Sequence, residues 1–109
     1  MQKAWPLLLC AIALPAHACW QDAAARYGVD ARLLYAIAQQ ESSLNPGAMN
    51  RSHAARTGSV DIGLMQINSR WLPVLHRHGI RESDLLDPCT NLQVGAWILA
   101  QSFQRHGAT

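Results

Sequence analysis

Helix start and stop signals recur along this chain and constrain it to a mostly helical fold. Asp30 stands where a capping side chain is favoured, and Gly28 and Gly79 stand where a helix ends. β-branched residues never alternate over more than a few positions, so strands are weakly predicted. The periods and caps predict five helical segments in a single small domain, at 21–27, 31–42, 69–79, 83–86 and 90–106. The third is predicted to be capped by Ser69 and the last to open at Thr90.

A long polar stretch interrupts the helical pattern. Residues 50–61 mix Ser, Arg, Thr and Gly58 without a period. This composition predicts a loop or a short irregular hairpin.

The first residues predict an export signal. Lys3 gives a short positive start, 4–14 is a brief apolar run, and Pro15 ends it before a small-x-small triplet. The run is too short to span a bilayer as a stable helix, so no stable membrane anchor is expected. We therefore predict a cleaved signal peptide, 1–18, followed by a periplasmic domain, 19–109.

Two cysteines remain after this cleavage, because Cys10 leaves with the signal peptide. In an oxidising compartment, a pair such as Cys19 and Cys89 most often forms a disulfide. A domain this small buries only about 60% of its unfolded surface, so a covalent tie helps to stabilise it. A lipid-anchored Cys19 is the less favoured alternative, because Ala16 stands where a lipid-attachment site needs a larger apolar residue.

Metal, cofactor and nucleic-acid binding are not expected. His76 and His78 are the only close histidine pair, and residues two apart do not share a helix face. The net charge of +2 includes Lys3, and the remaining basic residues are scattered among acids. Nucleic-acid binding would normally leave a basic stripe, and none is visible.

One glutamate lies on the apolar stripe of the second predicted helix. Leu34 and Ile37 define the stripe, and Glu41 and Leu44 continue it at helical spacing. A carboxyl in this position is expected to be partly shielded from water, which favours its protonated form. A general acid in glycoside cleavage needs this property. The alternative is a glutamate at a frayed helix end that points to solvent.

Two further features bear on the choice between a catalytic and a solvated Glu41. The polar turn after Glu41, 42–46, suits the orientation of a carboxyl and favours the catalytic interpretation. Glu82, the other glutamate, lies beside Arg81 in a polar stretch and is interpreted as solvated.

A second group of candidate site residues lies at 63–68, Gly-Leu-Met-Gln-Ile-Asn. Gly63 allows close backbone approach. The amides of Gln66 and Asn68 alternate with apolar residues, and such amides commonly bind sugar acetamido groups and hydroxyls. Met65 and Ile67 are expected in the core, and Gln66 as a surface amide is the alternative.

Together, Glu41-Ser42, the turn Asn45-Pro46-Gly47-Ala48 and the segment 63–68 resemble lytic transglycosylases with the goose-lysozyme-like catalytic fold. Cys19-Trp20 and Asp87-Pro88-Cys89 make the chain similar to the small one-domain members that accompany type III secretion and conjugation or pilus systems. The resemblance implies a mainly α domain of the lysozyme-like α+β superfamily, with the long loop beside the cleft.

The resemblance also implies roles for particular residues. Glu41 matches the single catalytic acid/base, and Ser42 matches the serine that holds the acid or the substrate. Met65 and Gln66 match cleft residues that contact the sugar, and Cys19 and Cys89 match a disulfide. The implied reaction cleaves the β-1,4 bond between N-acetylmuramic acid and N-acetylglucosamine in peptidoglycan without water, leaving 1,6-anhydro ends. Secretion or pilus apparatus proteins are the implied partners.

Two alternatives remain open at this stage. One is a muramidase-type hydrolase in which Asp61 positions a water, because ordinary glycosidases use two carboxylates. The other is an inactive wall-binding or assembly protein. The family continues into an Ala-Tyr-Asn-Ala-Gly segment where this chain stops at 106–109. We therefore expect that the C-terminal part is missing and that the helix of Glu41 is incompletely covered.

Overall fold

The computed structural model describes residues 15–107, with side chains from Cys19 onward. Most of the predicted signal peptide lies outside the described residues. The described chain forms five α-helices, two 3-10 turns and three short strands. In order they are α1 (Pro15–Tyr27), α2 (Ala31–Ser42), β1 (Met49–Asn50), α3 (Ala54–Thr57), β2 (Asp61–Ile62), β3 (Ile67–Asn68), a 3-10 turn (Ser69–Trp71), α4 (Leu72–Arg77), a second 3-10 turn (Glu82–Leu86) and α5 (Pro88–His106). The predicted mainly helical fold is confirmed.

The longest helix, α5, forms the centre of the domain, and α1 packs along it. Leu92 and Ala96 on α5 are buried, as the predicted stripe requires, whereas Leu99 and Phe103 are half-buried. The predicted disulfide between Cys19 and Cys89 is confirmed and joins the two helices, with the Cα atoms 5.4 Å apart.

The second helix begins where the sequence predicts. The Asp30 carboxylate accepts a hydrogen bond from the Arg32 backbone N–H at 2.7 Å. The Arg32 side chain, followed by this backbone bond, lowers the pKa of Asp30. Leu34 and Ala38 are fully buried, so this face of α2 packs on the core.

Three predicted helix starts are wrong: α1 begins at Pro15 rather than Gln21, and two others differ by one or two residues. Asn68, not Ser69, caps the third segment by accepting from the Arg70 N–H, and the segment opens as a 3-10 turn. α5 begins at Pro88, not at the predicted Thr90, and Asp87 caps it by accepting from the Thr90 N–H at 2.9 Å. Pro88 then occupies the first helical position, where its missing N–H has no cost.

The three strands form a small antiparallel sheet in the order β1-β2-β3. Met49 pairs with Ile62, and Ile62 pairs with Ile67. The predicted loop at 50–61 is therefore a connection between paired strands that contains α3, which matches the hairpin alternative. Ile62 and Ile67 are buried in the core, and the hairpin formed by β2 and β3 packs against α5.

Among residues 15–107, none of the helices combines the length and the apolar character needed to cross a bilayer.

Removal of the disulfide should destabilise the domain strongly. Because the two cysteines are 70 residues apart in sequence, the pair Cys19→Ser/Cys89→Ser should lower the free energy of unfolding by about 4 kcal/mol through the entropy of the unfolded chain. Urea unfolding followed by circular dichroism measures the change. The unsubstituted domain 19–109, with its disulfide intact, is the control. Unfolding of the paired variant at the same urea concentration as the control would contradict the prediction.

Candidate active site

Glu41 lies in the last turn of α2, and its side chain is exposed. The predicted partial shielding of this carboxyl is therefore wrong for the described chain. The predicted stripe is buried at Leu34 and half-buried at Ile37 and Leu44, and Ala38 beside it is fully buried. A stripe position is buried only where another element covers it, and none of the described residues covers Glu41.

The chain reverses directly after Glu41 through two left-handed residues. Ser43 has φ 55° and Leu44 has φ 63°, a conformation that costs a non-glycine residue about 1 kcal/mol or more. The Ser43 N–H bonds to the Gln39 carbonyl, and the Leu44 N–H bonds to the Ala38 carbonyl. These bonds close the helix and fix the direction in which the chain leaves it.

Ser42 joins α2 to the segment at 63–68. Its hydroxyl lies 2.7 Å from the Leu64 carbonyl oxygen, to which it donates, and 3.1 Å from the Ala38 carbonyl. It also accepts from the Asn45 N–H at 3.1 Å. Ser42 therefore places Leu64 beside the end of the helix that carries Glu41.

Gln66 is the third left-handed non-glycine residue, with φ 54°. Its backbone N–H bonds to the Gly63 carbonyl at 3.0 Å, so residues 63–66 form a tight turn. Its side-chain Nε2 donates to the carbonyls of Gly63, at 3.0 Å, and Ala48, at 3.3 Å. No described residue donates to Gln66 Oε1, and that oxygen is the part of the amide available to a ligand.

Met65 is almost fully buried, which confirms its expected place in the core. It packs on α5 at Gly95, where a Cβ would lie 2.9 Å from the Met65 Cγ. Contact between a sugar and Met65 remains a prediction.

Asn68 and Asp61 share a polar network on the hairpin. Asn68 Nδ2 donates to Asp61 Oδ1 at 2.9 Å and to Ser59 Oγ at 3.1 Å. His53 Nε2 lies 2.9 Å from Asp61 Oδ2, and its other ring nitrogen lies 2.9 Å from Thr57 Oγ1. Both oxygens of Asp61 thus have protein partners, and the Asn68 side chain holds Asp61 in place. The predicted contact of Asn68 with substrate remains untested.

The sequence analysis missed Asn91, which is fully buried on α5. Its Oδ1 accepts from the Met65 N–H at 2.7 Å, and its Nδ2 donates to the carbonyls of Ile62 and Leu85, both at 2.9 Å. The available signal was an amide next to Leu92 on the apolar face of a helix. Buried amides are hydrogen-bonded as a rule, so such a position indicates a structural tie.

The turn that follows α2 contributes to the lining of an apolar groove of about 510 Å³. Leu44 and Leu64 form one part of its lining, and Trp20 and Tyr35, with ring centroids 5.3 Å apart, form another. Glu41 does not line this groove. The candidate site therefore consists of the exposed Glu41, the adjoining Ser42 and the turn that holds Gln66.

Comparison with known proteins gives a family match over most of the chain. Residues 18–109 match the family described as the transglycosylase SLT domain. The chain is 47% identical over 90 residues to invasion protein IagB of Salmonella typhimurium, a match that covers 82% of this chain and 54% of that protein. It is 37% identical over 108 residues to a peptidoglycan-binding-like protein of Escherichia coli O157:H7, with 94% and 65% coverage. It is 36% identical to protein IpgF of Shigella flexneri, with 93% and 66% coverage. The chain thus spans between about half and two thirds of the length of these relatives.

The close fit of the turn against Asn91 gives a prediction for Gly63. In Gly63→Ala, the new Cβ would overlap Asn91 Nδ2 and lie 2.5 Å from the Leu85 carbonyl oxygen. Gly79→Ala is a matched control, because Gly79 has φ 79° against 77° for Gly63 but has open space around it. Gly63→Ala should therefore lower the free energy of unfolding by about 1–3 kcal/mol more than Gly79→Ala, the usual cost of overpacking. Equal losses in urea unfolding would show that the contact with Asn91 is loose.

Proposed function

Because the chain belongs to the transglycosylase SLT domain family, we propose that it cleaves peptidoglycan glycan strands as a lytic transglycosylase. The bond cleaved is the β-1,4 bond between N-acetylmuramic acid and N-acetylglucosamine, and the product is a 1,6-anhydromuramyl end. The proposed domain is 19–109, after a signal peptide at 1–18, and its place of action is the periplasm.

The observation that carries the proposal is the bond between Ser42 and Leu64. It joins the helix end that presents Glu41 to the turn that presents Gln66. A glycan strand that lies across this junction meets one carboxyl for proton transfer and one amide oxygen for recognition of an N–H or hydroxyl group. Ser42 acts in this proposal by holding the junction.

The chemistry requires Glu41 to serve twice. As an acid, it protonates the glycosidic oxygen while the N-acetyl group of the muramic sugar stabilises the developing cation. The resulting carboxylate then takes a proton from the 6-hydroxyl of the same sugar, whose oxygen closes onto the anomeric carbon. Atoms and charge balance without a water molecule, so a second carboxylate is unnecessary.

Because Glu41 is exposed, the described protein residues do not shield its carboxyl from water. A bound strand would cover the carboxyl and remove it from water, and desolvation favours the neutral acid. We therefore infer that substrate binding supplies the shielding that the described protein residues do not.

The hydrolase alternative, with Asp61 as the group that positions water, has less support. Asp61 Oδ1 already accepts from Asn68 Nδ2, and Asp61 Oδ2 lies 2.9 Å from His53 Nε2. A carboxylate held in this way has fewer lone pairs left to orient a water molecule.

We also propose that the protein acts beside a secretion or pilus apparatus. The support for this role is the similarity to invasion protein IagB. Local opening of the wall for such an apparatus is a function that a small one-domain transglycosylase can perform.

Replacement of the acid tests the central assignment. Glu41→Gln keeps the size and hydrogen-bonding capacity of the side chain but cannot transfer a proton, so cleavage of purified peptidoglycan should fall by about a hundredfold or more. Binding of glycan strands in a pull-down assay should persist. Glu82→Gln, which alters the other glutamate of the chain, should cleave at the normal rate. Undiminished cleavage by Glu41→Gln would remove Glu41 from the mechanism.

The products distinguish the two reactions. Mass spectrometry of digested cell wall should show muropeptides with 1,6-anhydro ends, which are lighter by one water than the reducing ends that hydrolysis leaves. A digest with only reducing ends would replace the transglycosylase proposal with the hydrolase alternative.

A further inference from the structure

The buried amide of Asn91 connects α5 to three other parts of the domain. Its three hydrogen bonds reach the turn at Met65, strand β2 at Ile62 and the second 3-10 turn at Leu85. A carboxamide has two N–H groups, and both are used here. No aliphatic side chain of similar size could replace these bonds without leaving three buried backbone groups unpaired.

The turn that bears Gln66 packs closely against α5 at Asn91 and at Gly95. Gly63 has no room for a side chain, because a Cβ would overlap Asn91 Nδ2. One helical turn further along α5, Gly95 leaves the space that Met65 fills. The backbone from Gly63 to Met65 therefore has one position on α5, and Asn91 sets it.

This fixed position has a consequence for Gln66. Its left-handed backbone, with φ 54°, is unfavourable for a residue with a Cβ and persists only where the surroundings enforce it. Asn91 holds the preceding N–H from the side of α5, and Ser42 holds the Leu64 carbonyl from the side of α2. Gln66 is thus placed by two tethers, one on each side of the turn.

We propose that Asn91 is a positioning residue, which fixes Met65 and Gln66 relative to Glu41 and thereby sets the affinity for the glycan strand. It touches no substrate and acts through the Met65 N–H. This inference rests on the proposed function, since it assigns Asn91 a part in the same site.

The test measures glycan binding without cleavage, in protein that carries Glu41→Gln. Asn91→Asp keeps an acceptor for the Met65 N–H but loses both donors, and its carboxylate faces the carbonyls of Ile62 and Leu85. Val94→Ala, on the same helix and also buried, removes packing at a cavity that Leu75 and Ile80 also line, and it is the matched control. The dissociation constant for purified glycan strands is measured at a temperature where circular dichroism shows every variant to be folded.

Asn91→Asp should weaken binding by about tenfold or more, and Val94→Ala should leave it unchanged. The loss should shrink as the pH falls, because a protonated Asp side chain regains one donor for a backbone carbonyl. The control should show no such recovery. Equal affinity of the two variants at every pH would overturn the proposal.

A second variant tests the inference if Asn91→Asp does not fold. Gly63→Ala displaces the same contact from the side of the turn and should weaken binding relative to Gly79→Ala; unchanged affinity would count against the proposal.

A second measurement separates the inference from the proposed function. If the Glu41→Gln protein itself binds no glycan, the proposed function fails, and amide hydrogen exchange then tests the positioning alone. Exchange at Met65 and Gln66 should be faster in Asn91→Asp than in Val94→Ala, and equal rates would refute the tether.

Discussion

The side chain of Asn91 lies where α5, the hairpin β2–β3 and the second 3-10 turn meet. The polar backbone groups that converge there are buried, and each would cost about 1–3 kcal/mol if it were left without a partner. One amide satisfies three of them. The hairpin can therefore pack against a helix at a point where neither element offers backbone partners to the other, and the position of Gln66 follows from this packing.

The disulfide holds the other side of the same helix. It connects α1 to the first turn of α5, and Gln93 Nε2 adds a bond of 2.9 Å to the Asp22 carboxylate. The small size of the domain makes such ties valuable, because its core is too limited to fix every element by apolar burial alone. The long helix is thus tethered to α1 by a covalent bond and to the hairpin by hydrogen bonds.

Because Glu41 is exposed, the proposed reaction has a defined order of binding and proton transfer. The protein fixes the end of α2 through Ser42 and two left-handed residues, but the described residues leave the carboxyl in water. Under the proposed mechanism, binding of the strand comes first and covers the carboxyl before it donates its proton. The polar network around Asp61 holds the connection between β1 and β2.

The sequence by itself predicted four of the five described α-helices and the disulfide partners, and it proposed the candidate site residues, which are Glu41, Ser42, Met65, Gln66 and Asn68. Caps, periods and short motifs are local properties of a few consecutive residues, so they can be recognised without a fold. Even so, Asn68 replaced the predicted cap Ser69, and α5 begins at Pro88 rather than at Thr90, because several polar residues near a helix start compete for the same N–H groups.

Only the tertiary structure decided the exposure of Glu41 and the role of Asn91. Burial depends on which element covers a position, and the partners of a buried amide come from residues up to 29 positions away in the chain. Neither the burial of a side chain nor the partners of a buried amide can be derived from the helical spacing of apolar residues. The sequence therefore named the residues of the candidate site, and the packing of α5 against the hairpin determined how they are held.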